Sequence, residues 1–144
     1  LRLSTAEKMG ADRAVNASEE DLQAVIQDIT GGDGVDVAIE YSGAEVGFNA
    51  CFVALAKGGD FRLVGPPPKA IPVDFTHWVV KCPQMQNIHG RQIWDNWQVA
   101  SELISSGSVD LGPIHSHSLS IEEGASGFEL IKEGKALKPL IVPR

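Results

Sequence analysis

Residues able to do chemistry are few in this chain, and their spacings are mostly unhelpful. His115 and His117 stand two positions apart, so on an extended strand they would share a face and offer two metal donors. No third ligand is in view near them. Cys51 and Cys82 are 31 positions apart with no His or Cys at metal-like spacing, which reads as two reduced, structural thiols. Gly31-Gly32-Asp33-Gly34 has the glycine density of a phosphate cradle, yet no helix opens directly after it and Asp33 would repel phosphate. It reads as a helix-to-strand turn. Trp94 and Trp97 could line a pocket, although Trp97 falls on the apolar stripe of a predicted helix, where core packing is the usual role. What remains is a set of small-residue steps: Ser42-Gly43, Val64-Gly65-Pro66 and Ile88-His89-Gly90.

Each of those steps follows a short run with the character of a strand. Val35, Val37, Ala38, Ile39 and Tyr41 form a stretch too short for a helix and rich in β-branched residues, as in a buried parallel strand. Phe61 to Val64 and Met85 to His89 are two more, and Leu140 to Val142 closes the chain. Arg13 to Asn16 and Pro72 to Phe75 are further short candidates. Between them lie helical patterns. Leu1 to Met9 is stopped by Gly10, and Ser18 is the expected N-cap of a helix carrying Leu22, Val25, Ile26 and Ile29 on one face. Ala44 to Lys57 repeats the spacing in Phe48, Cys51, Phe52 and Leu55, and ends at Gly58-Gly59. Thr76 to Cys82 is a short helix, and Ile93, Trp97, Ala100 and Ile104 stripe another that Gly107 ends. Ser120 and Glu123 form a capping box before Ala125, Phe128 and Ile131.

Strand and helix in alternation with short glycine-rich joints predict an α/β fold with a parallel, Rossmann-like sheet. In such a sheet ligands sit beyond the carboxyl ends of the strands. The three small-residue steps fall there, as a cofactor crevice needs if backbone is to approach a flat ring or a ribose.

The 144 residues suffice for a domain with a core, and a hydrophobic content of 43% is that of a globular chain. Twelve basic against 19 acidic residues give a net charge of −7, with no basic cluster. Nucleic acid and anionic membrane surfaces are therefore excluded as expected partners. No apolar run is long enough to span a bilayer and no cleavable signal is evident, so a cytoplasmic location is expected. Leu1 has no preceding methionine, and the first residues read as the second half of a helix, which points to a piece of a longer chain.

The phrases Lys8-Met9-Gly10-Ala11-Asp12, Thr30 to Val37 and Glu40-Tyr41-Ser42-Gly43, with Gly58-Gly59, Val64-Gly65 and the last helix and strand, resemble the cofactor domain of the medium-chain, zinc-dependent alcohol dehydrogenase superfamily. Ile88-His89-Gly90-Arg91, Trp94-Asp95-Asn96-Trp97, Leu103-Ile104 and Ser106-Gly107 are most similar to the L-threonine 3-dehydrogenase branch. The resemblance implies roughly the C-terminal two fifths of a longer enzyme. Residues 1–108 would be a partial NAD(P)-binding Rossmann domain, a doubly wound parallel sheet lacking its first two strands. Residues 109–144 would return to an absent catalytic domain. Arg13 to Asn16 would then lack a neighbouring strand.

By the same resemblance Arg2 would lie on the adenosine ribose side, where a planar, permanently charged donor suits ribose oxygens or phosphate. Val64, Gly65 and Pro66 would border the nicotinamide with backbone atoms, and Ile88 and His89 would do so from the next strand. The family commonly has an aromatic residue in place of His89. Lys138 matches a basic position that approaches the pyrophosphate in some relatives. The implied activity is oxidation of a secondary alcohol, a small molecule with L-threonine as the leading case, by hydride transfer to NAD. NADP stays open, because the acidic residue that decides it would precede Leu1. Zinc is expected only in the missing N-terminal half, and the full-length enzyme is expected to pair through the Met85 to His89 strand into a homodimer or homotetramer. The competing expectations are a zinc-free quinone or enoyl reductase sharing the same cofactor half, and a non-catalytic stand-alone remnant or interaction module.

Overall fold

The structure, a computed structural model, describes residues 1–143. Its backbone forms two compact units, one of residues 16–90 and the other of residues 1–15 with 91–143.

The first unit is built on a three-stranded parallel sheet. Its order is β1 (Val35–Glu40), β2 (Leu55–Leu63), β3 (Gln84–Asn87). The helix preceding β1, α2 (Leu22–Thr30), starts later than the sequence predicts. Its N-cap is Asp21, whose carboxylate accepts from the Gln23 and Ala24 amides, whereas Ser18 hydrogen-bonds to Asn16 in the preceding turn. Gly31 closes the helix in the left-handed conformation that a glycine adopts without a Cβ penalty.

Helix α3 (Glu45–Ala54) follows β1 and ends three residues before the predicted Lys57. Leu55 already pairs with Val35, so β2 begins six residues before the predicted Phe61 and takes in Gly58-Gly59. The next matched pair is Val37 with Asp60, which leaves an irregular stretch on β2 between the two pairs. The predicted strands at Arg13 to Asn16 and Pro72 to Phe75 are absent. The first has no partner strand among the described residues, and in the second Pro72 has no amide hydrogen for a ladder.

Helix α4 (Phe75–Lys81) is capped by Asp74 and returns the chain to β3. With α3 it covers one face of the sheet. Phe61 of β2 is fully buried between the Phe48 ring, 5.0 Å away edge-on, and Trp78, which stacks on Phe52 at 4.9 Å. Ala38 and Leu55 complete this core. The Lys81 ammonium donates to the carbonyls of Phe52, Val53 and Leu55, satisfying groups that the C-terminus of α3 leaves unpaired. The opposite face carries Val37 and Ile39, both exposed, beside a polar row in which Arg62 bonds Asp60 and Gln86.

In the second unit α1 (Arg2–Lys8) packs near a short 3-10 turn at Gly112–Ile114. Helix α5 (Asp95–Ser105) carries Trp97, Ala100 and Ile104 of the predicted stripe and begins after Ile93, and Ile93, Trp97 and Ile104 are all exposed. The Arg91 guanidinium sits 5.7 Å from the centre of the Trp97 ring. Strand β4 (His115–Leu119), not among the expected elements, pairs in parallel with β5 (Lys138–Ile141). Between them lies α6 (Gly124–Lys132), preceded by the predicted capping box: Ser120 N donates to the Glu123 carboxylate at 3.0 Å, and Glu123 N donates to Ser120 Oγ at 3.3 Å.

Candidate functional site: the exits of three parallel strands

Parallel pairing of β1, β2 and β3 brings their carboxyl ends to one edge of the sheet. That edge carries Ser42-Gly43, Val64-Gly65-Pro66 and Ile88-His89. The Ile88 amide continues the ladder by donating to the Leu63 carbonyl at 2.8 Å. Val64 is half-buried, Gly65 is buried, and Pro66, Ile88 and His89 are exposed. The edge is therefore an open, largely uncharged rim of backbone and apolar side chains. Arg2 is exposed in the first turn of α1, in the other unit.

The two glycines on this rim have a more definite role than leaving space for a ligand. A Cβ placed on Gly65 would lie 2.3 Å from the Gly43 nitrogen and 2.7 Å from the Tyr41 carbonyl oxygen. A Cβ on Gly43 would lie 2.7 Å from the Pro66 oxygen, and its φ of +69° is itself a left-handed value. The exits of β1 and β2 thus touch backbone to backbone, and glycine is required at both contacts.

The acid that holds this junction, Glu40, is not among the residues expected from the sequence. It is the last residue of β1 and is 2% exposed. One carboxylate oxygen accepts from Ser42 N at 2.7 Å, from the Ser42 hydroxyl and from Gly43 N at 3.1 Å, and the other accepts from Gly43 N at 2.9 Å. Ser42 Oγ in turn accepts from the Ala44 amide, the N-cap of α3. Burial raises the Glu40 pKa, but the bonds from Ser42 and Gly43 outweigh it, and the carboxyl titrates below its ordinary range. On the neighbouring helix Gly47 allows the approach: a Cβ there would stand 2.9 Å from Glu40 Oε1. The half-buried Cys51 thiol faces the same acid, and its pKa is raised, first by burial and then by the Glu40 charge. The alternation of β1 carries a signal for all of this, since Glu40 shares the covered face with Ala38.

The other candidates, His115 and His117, belong to the second unit. His115 bonds Ser118 Oγ through Nε2 at 3.1 Å, while His117 is half-buried with its Nδ1 lacking a hydrogen-bond partner. Among the described residues no three His, Cys, Asp or Glu side chains come together as a metal site requires. Two clefts open elsewhere in the first unit, one of about 280 Å³ beside His77 and Lys81 and one of about 420 Å³ between α2 and α3. Neither includes a strand exit.

Residues 1–106 match the family of zinc-binding dehydrogenases. The chain belongs to that family. Among curated proteins it is 36% identical over 143 residues to the L-threonine 3-dehydrogenase of Bacillus velezensis, and 36% identical over 145 residues to that of Thermococcus kodakarensis. Each match takes in 99% of this chain but 41% of the relative, so the chain spans about two fifths of their length. Among solved structures, alcohol dehydrogenase TADH from Thermus sp. ATN1 superposes with a TM-score of 0.90 at 27% identity, covering 99% of this chain and 42% of that one. The 2R,3R-butanediol dehydrogenase of Bacillus subtilis gives 0.86 at 26%, covering 99% and 41%. The likeness agrees with a partial Rossmann-type domain in a dehydrogenase of the alcohol and threonine type. No helix among the described residues is long and apolar enough to cross a membrane.

Proposed function

We propose that this chain is the C-terminal, cofactor-seating part of a longer NAD-linked dehydrogenase that oxidises the secondary alcohol of L-threonine at C3. The observation that carries the reading is the alignment of three parallel strand exits on one edge, in a chain of the zinc-binding dehydrogenase family. A bound nicotinamide would supply the acceptor for the hydride of the alcohol carbon. The chain's own part is to seat and orient the ring. Val64, Gly65 and Pro66 border it with backbone from β2, and Ile88 and His89 from β3, with the His89 backbone rather than its imidazole making the contact. Ser42-Gly43 lies toward the adenosine half, and Arg2 contributes charge on the ribose side. Such a rim excludes water from one side of the ring and fixes its tilt, which is how remote contacts are converted into rate.

Residues 1–108 serve the cofactor and residues 109–144 return to the catalytic domain. In this reading a zinc ion belongs to the part of the enzyme outside this chain. The exposed outer edge of β3 is the surface through which two copies pair. The reaction is placed in the cytoplasm.

The test is made on the full-length protein. With NAD and L-threonine it is expected to form reduced cofactor, followed by ultraviolet absorbance, and the purified enzyme is expected to contain zinc. Reduction of a quinone or an enoyl substrate without any alcohol oxidation or zinc would place it in the zinc-free branch. Failure to bind NAD or NADP at all would leave a non-catalytic module. An Arg2→Ala change is expected to raise the KM for NAD several-fold, as for loss of a charged hydrogen bond. An unchanged KM would remove Arg2 from the site.

A further inference from the structure

We infer that Glu40 is a positioning residue for the cofactor seat, a single anionic clamp that sets the spacing between the exits of β1 and β2. The inference rests on the cofactor reading above. Its basis is that one residue reaches both exits. Through its main chain, the Glu40 carbonyl accepts from the Val64 amide at 2.9 Å and from the Gly65 amide at 3.1 Å. Through its side chain, the carboxylate accepts from Ser42 and from Gly43. Gly43 is the residue against which Gly65 and Pro66 are packed without room for a Cβ. Any movement of the Glu40 carboxylate therefore shifts Gly43, and a shift of Gly43 displaces the backbone proposed to border the ring.

Glu40 cannot serve as a ligand group itself. It is 2% exposed, and its oxygens are engaged by Ser42 and Gly43, with Gly47 of α3 standing over one of them. The carboxylate also lies at the positive end of α3, to which Ser42 Oγ relays it through the Ala44 amide. A charged acceptor holds two backbone donors and a hydroxyl more firmly than a neutral amide does, because charge-assisted bonds are shorter and stronger. It also imposes one geometry, since both oxygens accept from Gly43.

Two variants of the full-length protein, Glu40→Gln and Ser42→Ala, test this. Hydrogen exchange is measured without cofactor, and steady-state kinetics give KM and kcat for NAD. Glu40→Gln is expected to speed exchange at Val64 and Gly65 as well as at Ser42 and Gly43, although the main-chain acceptor of Val64 and Gly65 is untouched. It is expected to raise the KM for NAD about tenfold, the range for a weakened charged hydrogen bond. Ser42→Ala removes one donor and is expected to act in the same direction by about threefold. Should Glu40→Gln fail to fold, Ser42→Ala decides by the same readouts. Exchange confined to residues 42–44, or a KM for NAD that does not move, overturns the positioning role and leaves Glu40 structural. Wild-type protein that binds neither NAD nor NADP overturns the cofactor reading and this inference together. Wild-type binding with unchanged variants overturns this inference alone.

Discussion

At the scale of single residues, the strand exits are governed by contacts too short for any side chain. Gly65→Ala would place a Cβ 2.3 Å from the Gly43 nitrogen, with backbone rather than a flexible side chain in the way. It is expected to lower stability by about 2 kcal/mol or more, in the range of overpacking with backbone displacement, read from the urea midpoint. Glu40 adds a pH dependence whose sign follows from its lowered pKa. A carboxyl whose pKa is depressed by folding stabilises above its unfolded value, and that contribution is lost as pH falls through the folded one. The unfolded reference is 4.5, so wild-type protein is expected to lose stability relative to Glu40→Gln as pH drops below about 4.5. The Cys51 thiol facing Glu40 has a raised pKa and stays neutral through that window. For the same reason Cys51 is expected to alkylate more slowly than the exposed Cys82, a difference that mass spectrometry of a timed iodoacetamide reaction would register.

Among the elements, helix α3 does the most to shape the site. Its first turn presses on Glu40 through Gly47, its middle supplies Phe48 and Phe52 to the core, and its last carbonyls are held by Lys81 of α4. Lys81→Met would keep the aliphatic stem but strip three carbonyls of their donor. It is expected to cost about 1 kcal/mol, the scale of a lost hydrogen bond at half-buried and exposed acceptors, and to lower the thermal midpoint. The Phe52–Trp78 stack offers a fluorescence reporter of this corner. The helix ends early because Leu55 is needed in the sheet, where it is 1% exposed. An i, i+3, i+4 pattern continuing through Leu55 reads as helix in one dimension, while the register with Val35 claims the same residue for β2.

For the molecule as a whole, the exposed apolar surface is instructive. Val37 and Ile39 on the open face of the sheet, Trp94, Trp97 and Ile104 along α5, and Phe128 on α6 are all left in solvent. Apolar side chains that share a sheet face, as Val37 and Ile39 do, or run along one helix, as Trp97 and Ile104 do, are where an interaction surface is expected. The 144-residue chain expressed by itself is expected to bind a hydrophobic dye strongly and to elute above monomer size, whereas the full-length protein is expected to do neither to the same degree. The parallel sheet has a further consequence, because β1 and the outer edge of β3 both leave ladder groups unpaired within the described residues.

Local patterns determined much of the protein. The alternation of strand and helix, the steps Ser42-Gly43, Val64-Gly65-Pro66 and Ile88-His89, and the Ser120–Glu123 box are carried by spacing and residue type over a few positions, and the phrases around Gly31 to Gly43 carried the family. Other features depended on partners distant in sequence. Arg13 to Asn16 is not a strand because strands exist only in pairs, and the Trp97 stripe is exposed because an apolar face is buried only where something meets it. Gly43 and Gly65 read as small residues at strand ends, and only the fold shows that their backbones touch. Glu40 entered the sequence reading only as part of the phrase Glu40-Tyr41-Ser42-Gly43. That it joins two exits was decided by the parallel pairing of β1 with β2, since only that register brings Val64 and Gly65 onto its carbonyl while Ser42 and Gly43 fold back onto its carboxylate.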